Sequence, residues 1–577
     1  MNDIIKNKIF DLLKKVGVDP SFITDLTVPP QPEMGEFALP VFRIAKGESK
    51  KPQDVALEIV ANIRKILDTA ESEEFKIFEK LQQFGPYVNF FLNAKEVAAL
   101  VLSDIEKKGE KFGSHEVGKG KKYVIEFACP NPLKAFHLGH LKNLITGESV
   151  VRVFENAGYE VVRVNYQGDV GMHVAKALWG IFASYDQFEA MRKEPLKERA
   201  EFLGRAYAAG SAHYEESDAA KEEVVKYNDI VYEDSDANVM AVYHEARSWS
   251  LEYFDDIYKR LNSHFDRLYF ESEMFKRGVE LVHQGLEQGV FVKSEGAIIF
   301  EGSKVGLHDR VFINSKGFPT YEAKEVALAE KHFADHHPDK VIHVVGKEQT
   351  EYFKVVIQAI EKMVPESVGK EFHLQGGFLQ LKGDQKMSSR KGNIVTGDEL
   401  LGEVRERIRK IMNESEKGKT DELTLEKVTG AALKYGMLRS NVSQDVSFDL
   451  EESVSVTGDS GPYVLYIVAR IKSILRKVSV PAVSEIPSVV ETEEKNLLLK
   501  VGEFSGVTKL AVEKYDPSEI TQYLFELAQS FNNFYHACPV LQATPEVQAF
   551  RIKIIQSVLQ VMEKGLKLLG IETIEEM

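Results

Sequence analysis

Cysteine is nearly absent: Cys129 and Cys538 are the only two in 577 residues. That excludes a disulfide scaffold and a zinc knuckle built on paired cysteine spacings. Positive charge is also short, with 73 Lys and Arg against 89 Asp and Glu and a formal net charge of −16. Non-specific nucleic-acid coating needs a basic surface, so a nucleic-acid partner here requires a basic stripe on one face of an acidic protein. No apolar run approaches the ~18–20 residues that cross a bilayer, so no membrane partner is expected. The start, Met1-Asn2-Asp3-Ile4-Ile5-Lys6, mixes acids and bases in an amphipathic pattern, unlike the basic start and continuous apolar stretch of a signal peptide. The expectation is a soluble cytoplasmic protein without internal repeats or low-complexity tracts.

Apolar residues make up 44% of the chain, enough for several cores. At roughly 100–200 residues per domain, about three to five are expected. Residues 1–112 read as helices with a few strands. Ile5, Ile9, Leu12, Leu13 and Val16 recur at helical spacing, 52–68 form a second amphipathic helix, and 86–93 alternate as a strand. The proline-rich 28–34 is a loop, and 111–122, rich in Gly and Lys, is a linker. Residues 113–415 begin with strand 123–127, helix 137–157 and strand 159–166, a β-α-β unit that implies a parallel, doubly wound Rossmann-type sheet. The charged stretch at about 176–290 reads as a helical insertion with connecting helices. Strand and helix alternation resumes over 297–360. From 416 to 577 the pattern is almost entirely helical, a separate bundle.

His137-Leu-Gly-His140 sits at a strand–turn–helix junction. Positions i and i+3 share a helix face, and a helix N-terminus offers free N–H groups to phosphate. Gly139 leaves room for a flat purine. These features suit a nucleoside triphosphate; two surface histidines near a cap are the plainer alternative. The second motif, Lys386-Met-Ser-Ser-Arg-Lys-Gly392, lies in a glycine- and charge-rich loop. Cations flanked by hydroxyls suit a polyphosphate whose charge moves during reaction, and a solvated basic loop is its plainer reading. Gly418-Lys-Thr420 resembles the end of a P-loop, but Asn413 stands where that motif needs Gly. A nucleotidylyltransferase also uses a His-x-Gly-His turn, yet has no need of the C-terminal helical domain.

The two motifs, about 250 residues apart and in this order, resemble the paired signatures of class I aminoacyl-tRNA synthetases. More narrowly the chain resembles arginyl-tRNA synthetases. Glu126-Phe-Ala-Cys-Pro-Asn-Pro-Leu-Lys-Ala-Phe-His-Leu-Gly-His-Leu-Lys142 is close to that family's catalytic signature. Asn165–Gly171, Pro319–Ala329, His343–Gln349, Gly461–Ile471 and Gly565–Ile571, with the final Met577, agree in order.

The resemblance implies ligation of L-arginine to tRNA(Arg) with ATP and magnesium, no protein-bound metal, and a monomer. It implies ATP handling by His137, Gly139, His140, Lys386, Met387, Ser388, Ser389 and Arg390. The arginine side chain would be held by Glu126, Asn131, Tyr321, Glu325 and Gln349, a set of acids, amides and a phenol that suits a permanently charged planar fork. Phe37 falls where the N-terminal domain of the family touches the outer corner of tRNA. Tyr463, Tyr466, Arg470, Tyr535 and Met577 fall where its C-terminal domain meets the anticodon. Three positions depart from the family pattern. Glu325 replaces an Asp; Ser389 replaces the second lysine of the loop, whose charge Lys134 would supply; and His173 replaces a Gln. A non-catalytic tRNA-binding paralogue is the alternative in another function class, and the complete His137–His140 signature favours the enzyme.

Overall fold

The computed structural model describes all residues except 1, 20, 23–25, 69–74, 384–394, 415–420 and 479–484. At the N-terminal end, helices Asn2–Lys15, Pro52–Leu67 and Ala94–Lys108 accompany an antiparallel sheet of β1 (Phe37–Pro40), β2 (Phe78–Phe84) and β3 (Tyr87–Leu92), ordered β1-β3-β2. Pro52 sits in the first turn of its helix, where a missing N–H costs nothing. Val55, Ile59, Val60 and Ile63 of that helix turn inward.

The central sheet has five parallel strands: β4 (Lys122–Glu126), β5 (Glu160–Gln167), β6 (Arg267–Phe270), β10 (Lys340–Gly346) and β11 (Glu371–Gly376), in the order β11-β10-β4-β5-β6. Three short strands, β7 (Val292–Ser294), β8 (Ala297–Phe300) and β9 (Arg310–Ile313), form an antiparallel sheet between β6 and β10. Helix Leu138–Asn156 links β4 to β5 as expected, and Gly158 ends that turn at φ +87°. Five helices between Met172 and Arg260 fill most of the insertion. Within the helix-rich stretch 176–290, β6 was not read from the sequence, and it forms the edge of the main sheet. Four residues, Arg-Leu-Tyr-Phe, are too short to show alternation against the charged helical tracts on either side. A further parallel pair, β12 (Leu379–Leu381) with β13 (Val446–Phe448), also escaped the sequence reading.

Helices Glu422–Leu438, Gly461–Arg476, Thr492–Lys514, Ser518–Ala537 and Pro545–Leu568 build the C-terminal bundle. One hydrophobic cluster runs from Ile5 through Leu144 to Ile574, so the three regions share a core. The Gly- and Lys-rich stretch 111–122 is fastened to that bundle. Thr508 Oγ1 donates to the Gly113 carbonyl at 2.9 Å and lies 2.9 Å from His115 Nε2. No helix among the described residues is long and apolar enough to cross a membrane.

Strand order reverses direction between β4 and β10, since the chain runs from β4 to β5 on one side and later to β10 on the other. Open parallel sheets bind ligands at the carboxyl ends of strands beside such a switch point.

Candidate active site at the sheet switch point

The turn leaving β4 is strained. Ala128, Cys129 and Leu133 adopt φ of +69°, +48° and +64°, a left-handed region that side chains with a Cβ avoid. Hydrogen bonds hold it there. Cys129 N donates to Asn165 Oδ1 at 3.1 Å, Leu133 N to Ser250 Oγ at 3.0 Å, and Gly168 N to Asn131 Oδ1 at 3.0 Å. The turn therefore has its shape before any ligand arrives.

His137 is the N-cap of helix Leu138–Asn156. Its Nδ1 accepts from Gly139 N at 3.1 Å and His140 N at 3.4 Å, while His140 Nδ1 accepts from His137 N at 3.3 Å. This is a capping box made of two histidines, with rings stacked at 3.6 Å. Burial, reinforced by the Lys134 charge, lowers the His137 pKa; burial, His137 and Lys134 take His140 well below its usual value. Both rings are neutral at pH 7. Each Nδ1 accepts a backbone N–H, so each proton sits on Nε2, leaving two uncharged donors at a helix N-terminus. A Cβ on residue 139 would come within 3.0 Å of the His137 ring, so Gly139 is needed for the cap itself as well as for an approaching base.

Lys134 lies 5.0 Å from the ring of Tyr207 in the helical insertion, close enough to both histidines for its charge to be felt. Lys386, Met387, Ser388, Ser389 and Arg390 lie outside the described residues. The chain flanking them is anchored on both sides. Lys382 N donates to the Phe448 carbonyl at 2.9 Å, and beyond the motif Thr396 bridges to His137 while Gly397 N donates to the Phe136 carbonyl at 2.7 Å. The described chain beyond the second motif thus packs directly against the first.

Beside this turn, at the ends of β4 and β10, lies a cluster of buried acids. Glu126 is 2% exposed, with Oε1 3.3 Å from His343 Nδ1 and Oε2 without a partner among the described residues. His343 Nε2 lies 2.8 Å from Glu371 Oε2. Burial pushes the Glu126 pKa up, but the charge and hydrogen bond of His343 outweigh it and hold the carboxyl below its usual value. Glu325 has no such partner. Burial, with the Glu126 charge adding to it, pushes its carboxyl up to about 8. Lys324 pairs with Glu271, both nearly inaccessible, and its Nζ lies 4.6 Å from the Tyr321 ring. Tyr321 opens helix Tyr321–His336 one turn before Glu325, and burial raises its phenol to about 12.

The structure therefore brings Glu126, Asn131, Tyr321 and Glu325 to one region. It does not bring Gln349 into bonding contact with them: that residue stands exposed at the N-cap of helix Thr350–Met363. His173 is buried, with Nε2 2.7 Å from the Gly168 carbonyl and a pKa lowered by burial to about 3. It braces the Gly168–Asp169 turn. Asp169 in turn accepts from Ser272 N at 2.8 Å, Ser272 Oγ at 2.7 Å and Arg247 Nε at 2.9 Å. Sequence reasoning assigned no role to His343, Glu371, Glu271 or Lys324. For His343 the signal was present, a single histidine in the apolar run Val341–Val345.

On the C-terminal bundle, Tyr466, Arg470, Tyr535 and Met577 line a cavity of about 400 Å³. Arg470 lies over the Tyr466 ring at 4.7 Å and the Tyr535 ring at 5.5 Å. Its guanidinium also donates to Asn532 Oδ1 at 3.2 Å, and Asn532 Nδ2 donates to Tyr463 Oη at 2.8 Å. Phe37 is the residue that the family resemblance offers as a contact to the outer corner of tRNA. It is 6% exposed and part of the N-terminal core, so its ring face is already covered.

Three family models match in succession: an arginyl-tRNA synthetase N-terminal domain over residues 3–92, the class I (R) tRNA synthetase catalytic domain over 101–450, and a DALR anticodon-binding domain over 464–577. The chain belongs to the class I arginyl-tRNA synthetase family. It is 32% identical over 583 residues to the arginine–tRNA ligase of Clostridium beijerinckii, covering 99% of this chain and 100% of that one. It is 30% identical to the Treponema denticola arginine–tRNA ligase, covering 96% and 95%. Among solved structures, Thermus thermophilus arginyl-tRNA synthetase superposes with a TM-score of 0.76 over 100% of both chains at 26% identity. As a member of this family the protein is an aminoacyl-tRNA synthetase that uses ATP as a substrate.

Proposed function

We propose that this arginyl-tRNA synthetase family member joins L-arginine to tRNA(Arg) in two steps. The arginine carboxylate attacks the α-phosphorus of ATP, the bond to the β-phosphate breaks, and pyrophosphate leaves. A hydroxyl of the terminal ribose of tRNA then attacks the carbonyl carbon of arginyl-adenylate and AMP leaves. The first nucleophile is already an anion, so no general base is needed; the protein's part is positioning and charge stabilisation.

The observation that carries this reading is the unpartnered, buried Glu126 Oε2 beside Glu325, one turn away from a helix N-terminus presenting two imidazole N–H donors. A buried carboxylate oxygen left open after His343 has taken the other, beside a second acid with no ion pair of its own among the described residues, calls for a cationic ligand, and neutral donors at a helix start call for phosphate. In this assignment Glu126, Glu325, Tyr321 and Asn131 hold arginine, with Gln349 closing on it. His137 and His140 donate to the triphosphate as charge develops. Lys134 and Lys386 receive the departing pyrophosphate, with Met387, Ser388, Ser389 and Arg390 completing the loop over ATP. Magnesium arrives as part of the substrate, held by phosphate and water. Residues 1–112 bear on the tRNA core and 416–577 on the anticodon, where Tyr463, Tyr466, Arg470, Tyr535 and Met577 offer stacking faces and one cation. ATP–pyrophosphate exchange across the twenty amino acids, with and without tRNA, is the test. Exchange with arginine and no other amino acid, and only when tRNA is present, is expected; exchange with another amino acid and not arginine overturns the assignment, and tRNA binding without adenylate formation identifies a non-catalytic paralogue.

A further inference from the structure

β10 is a central strand whose residues Val341, Ile342, Val344 and Val345 are buried, and His343 among them is 3% exposed. A polar ring in such a strand is costly unless both nitrogens are satisfied. Here both are, and by acids. Strand register sets His343 opposite Glu126 on β4, with Oε1 3.3 Å from Nδ1, and Glu371 on β11 places Oε2 2.8 Å from Nε2. A ring that faces two carboxylates must donate from both nitrogens, which requires the imidazolium. The far oxygens of the two acids, Glu126 Oε2 and Glu371 Oε1, are buried without partners.

The groups around this triad come from every neighbouring element. The turn after β4 contributes the Cys129 thiol, which donates to Glu126 Oε1 at 3.8 Å and whose pKa burial and then the Glu126 charge raise. β5 contributes the buried Tyr166 phenol, also raised. Helix Tyr321–His336 contributes Glu325 and His332, whose ring nitrogens are both unpartnered and whose pKa burial lowers to about 3. β11 contributes His373, with Nε2 3.3 Å from the Val345 carbonyl. Helix Thr350–Met363 contributes Tyr352, and Glu271 and Lys324 pair nearby. His343 is thus the cation that offsets Glu126 and Glu371, and Glu325 is the acid left over. Without that cation, adjacent carboxyls would share protons, and a protonated carboxyl is a poor acceptor for a guanidinium.

We propose that His343 is a positioning residue for arginine recognition: clamped by Glu371, it fixes Glu126 with one oxygen tied and the other directed at the substrate cation, and keeps that carboxylate ionised. The inference rests on the reading of Glu126 and Glu325 as the arginine side-chain pocket. Gln at 343 can satisfy one acid but not both, and carries no charge. Gln at 371 leaves His343 in place without its outer clamp.

Steady-state aminoacylation of the full chain by wild type, His343→Gln, Glu371→Gln and Glu126→Gln tests this. His343→Gln and Glu371→Gln should raise the arginine KM by about tenfold or more while the ATP and tRNA KM stay within about twofold. In His343→Gln the pH at which arginine KM falls should also move up, because losing a neighbouring cation raises the carboxyl pKa values. Unchanged arginine KM and pH profile in both variants, or equal rises in all three KM values, overturns the proposal. If Glu126→Gln raises arginine KM and the other two do not, this inference fails alone. If Glu126→Gln also leaves it unchanged, the pocket reading fails with it. Should His343→Gln not fold, Glu371→Gln at the edge strand decides.

Discussion

Replacing Glu325 by Gln keeps the side-chain volume and removes the charge, and the structure gives the two consequences opposite signs. Burial and then the Glu126 charge raise this carboxyl to about 8. An unfolded chain ionises it near the ordinary glutamate value, so between that value and about 8 the folded state holds a proton that the unfolded state has lost. Stability attributable to the group therefore falls as pH rises through this window. Gln never ionises, so Glu325→Gln should be at least as stable as wild type at pH 7, with the gap growing in its favour towards pH 8. Arginine binding should go the other way. Losing a hydrogen bond to a charged group costs about 2–3 kcal/mol, which is roughly 30–150-fold in arginine KM. In wild type, only about a tenth of Glu325 is ionised at pH 7 and about three-quarters at pH 8.5, so arginine KM should fall roughly tenfold over that interval. In Glu325→Gln that slope should vanish. Urea denaturation and aminoacylation at varied arginine and ATP provide both readouts. A variant that loses stability at pH 7, raises ATP and arginine KM equally, or keeps the wild-type pH slope refutes Glu325 as a substrate carboxylate.

Three further outcomes are expected. Lys134→Ala should lower kcat about 100-fold with arginine KM little changed. Because the Lys134 charge helps depress His137 and His140, its removal should also move the acid limb of the rate profile to higher pH; an unaltered kcat refutes its role. Arg470→Ala removes the cation lying over Tyr466 and Tyr535 and should raise tRNA KM about tenfold, leaving ATP and arginine KM as they were; equal tRNA KM values refute the cavity as a base site. Phe37→Ala should cost about 3–5 kcal/mol by denaturation, as a core cavity does, without raising tRNA KM in the folded protein; the reverse pattern would make Phe37 a contact to the tRNA corner.

What the sequence made legible followed the range of the signal. Helix Leu138–Asn156, its two flanking strands and the five C-terminal helices each announce themselves through period and caps within a few residues. β6 did not, since four residues between helical tracts show too little alternation. The strand Phe37–Pro40 was not read from the sequence; Phe37 came from the family resemblance, which does not say which face its neighbours cover, and packing in the N-terminal core covers it. Glu126, Asn131, Tyr321 and Glu325 came from the resemblance and not from pattern. The His343 bridge joins residues 217 apart on one side and 28 on the other, and only strand order β11-β10-β4 brings them together. Gly139 was read as room for a purine; its nearest neighbour is the His137 ring, a constraint invisible until the cap geometry is known.

Charge alone would not select arginine at such a site. Four carboxylates, Glu126, Glu271, Glu325 and Glu371, stand against two cations, His343 and Lys324, and a lysine ammonium would be attracted as strongly as a guanidinium. The pairing pattern breaks the tie. Lys324 already neutralises Glu271, and His343 occupies one oxygen each of Glu126 and Glu371. What is left to a ligand is one oxygen of Glu126 and the carboxyl of Glu325, acceptors carried by a strand end and a helix turn. A guanidinium offers its donors in a fixed planar fork spread over three nitrogens, whereas an ammonium offers three donors from a single nitrogen, so acceptors set for the fork are met less completely by the ammonium. An unpaired buried carboxylate costs more than a missing attraction. Selectivity on this account comes from the penalty left behind by the wrong cation. Replacing the ammonium of a lysine-like substrate by a planar amidine, which keeps one charge and spreads its donors over two nitrogens, should recover part of the activity lost against arginine, and such analogues in pyrophosphate exchange would show no such ordering if net charge were the deciding term.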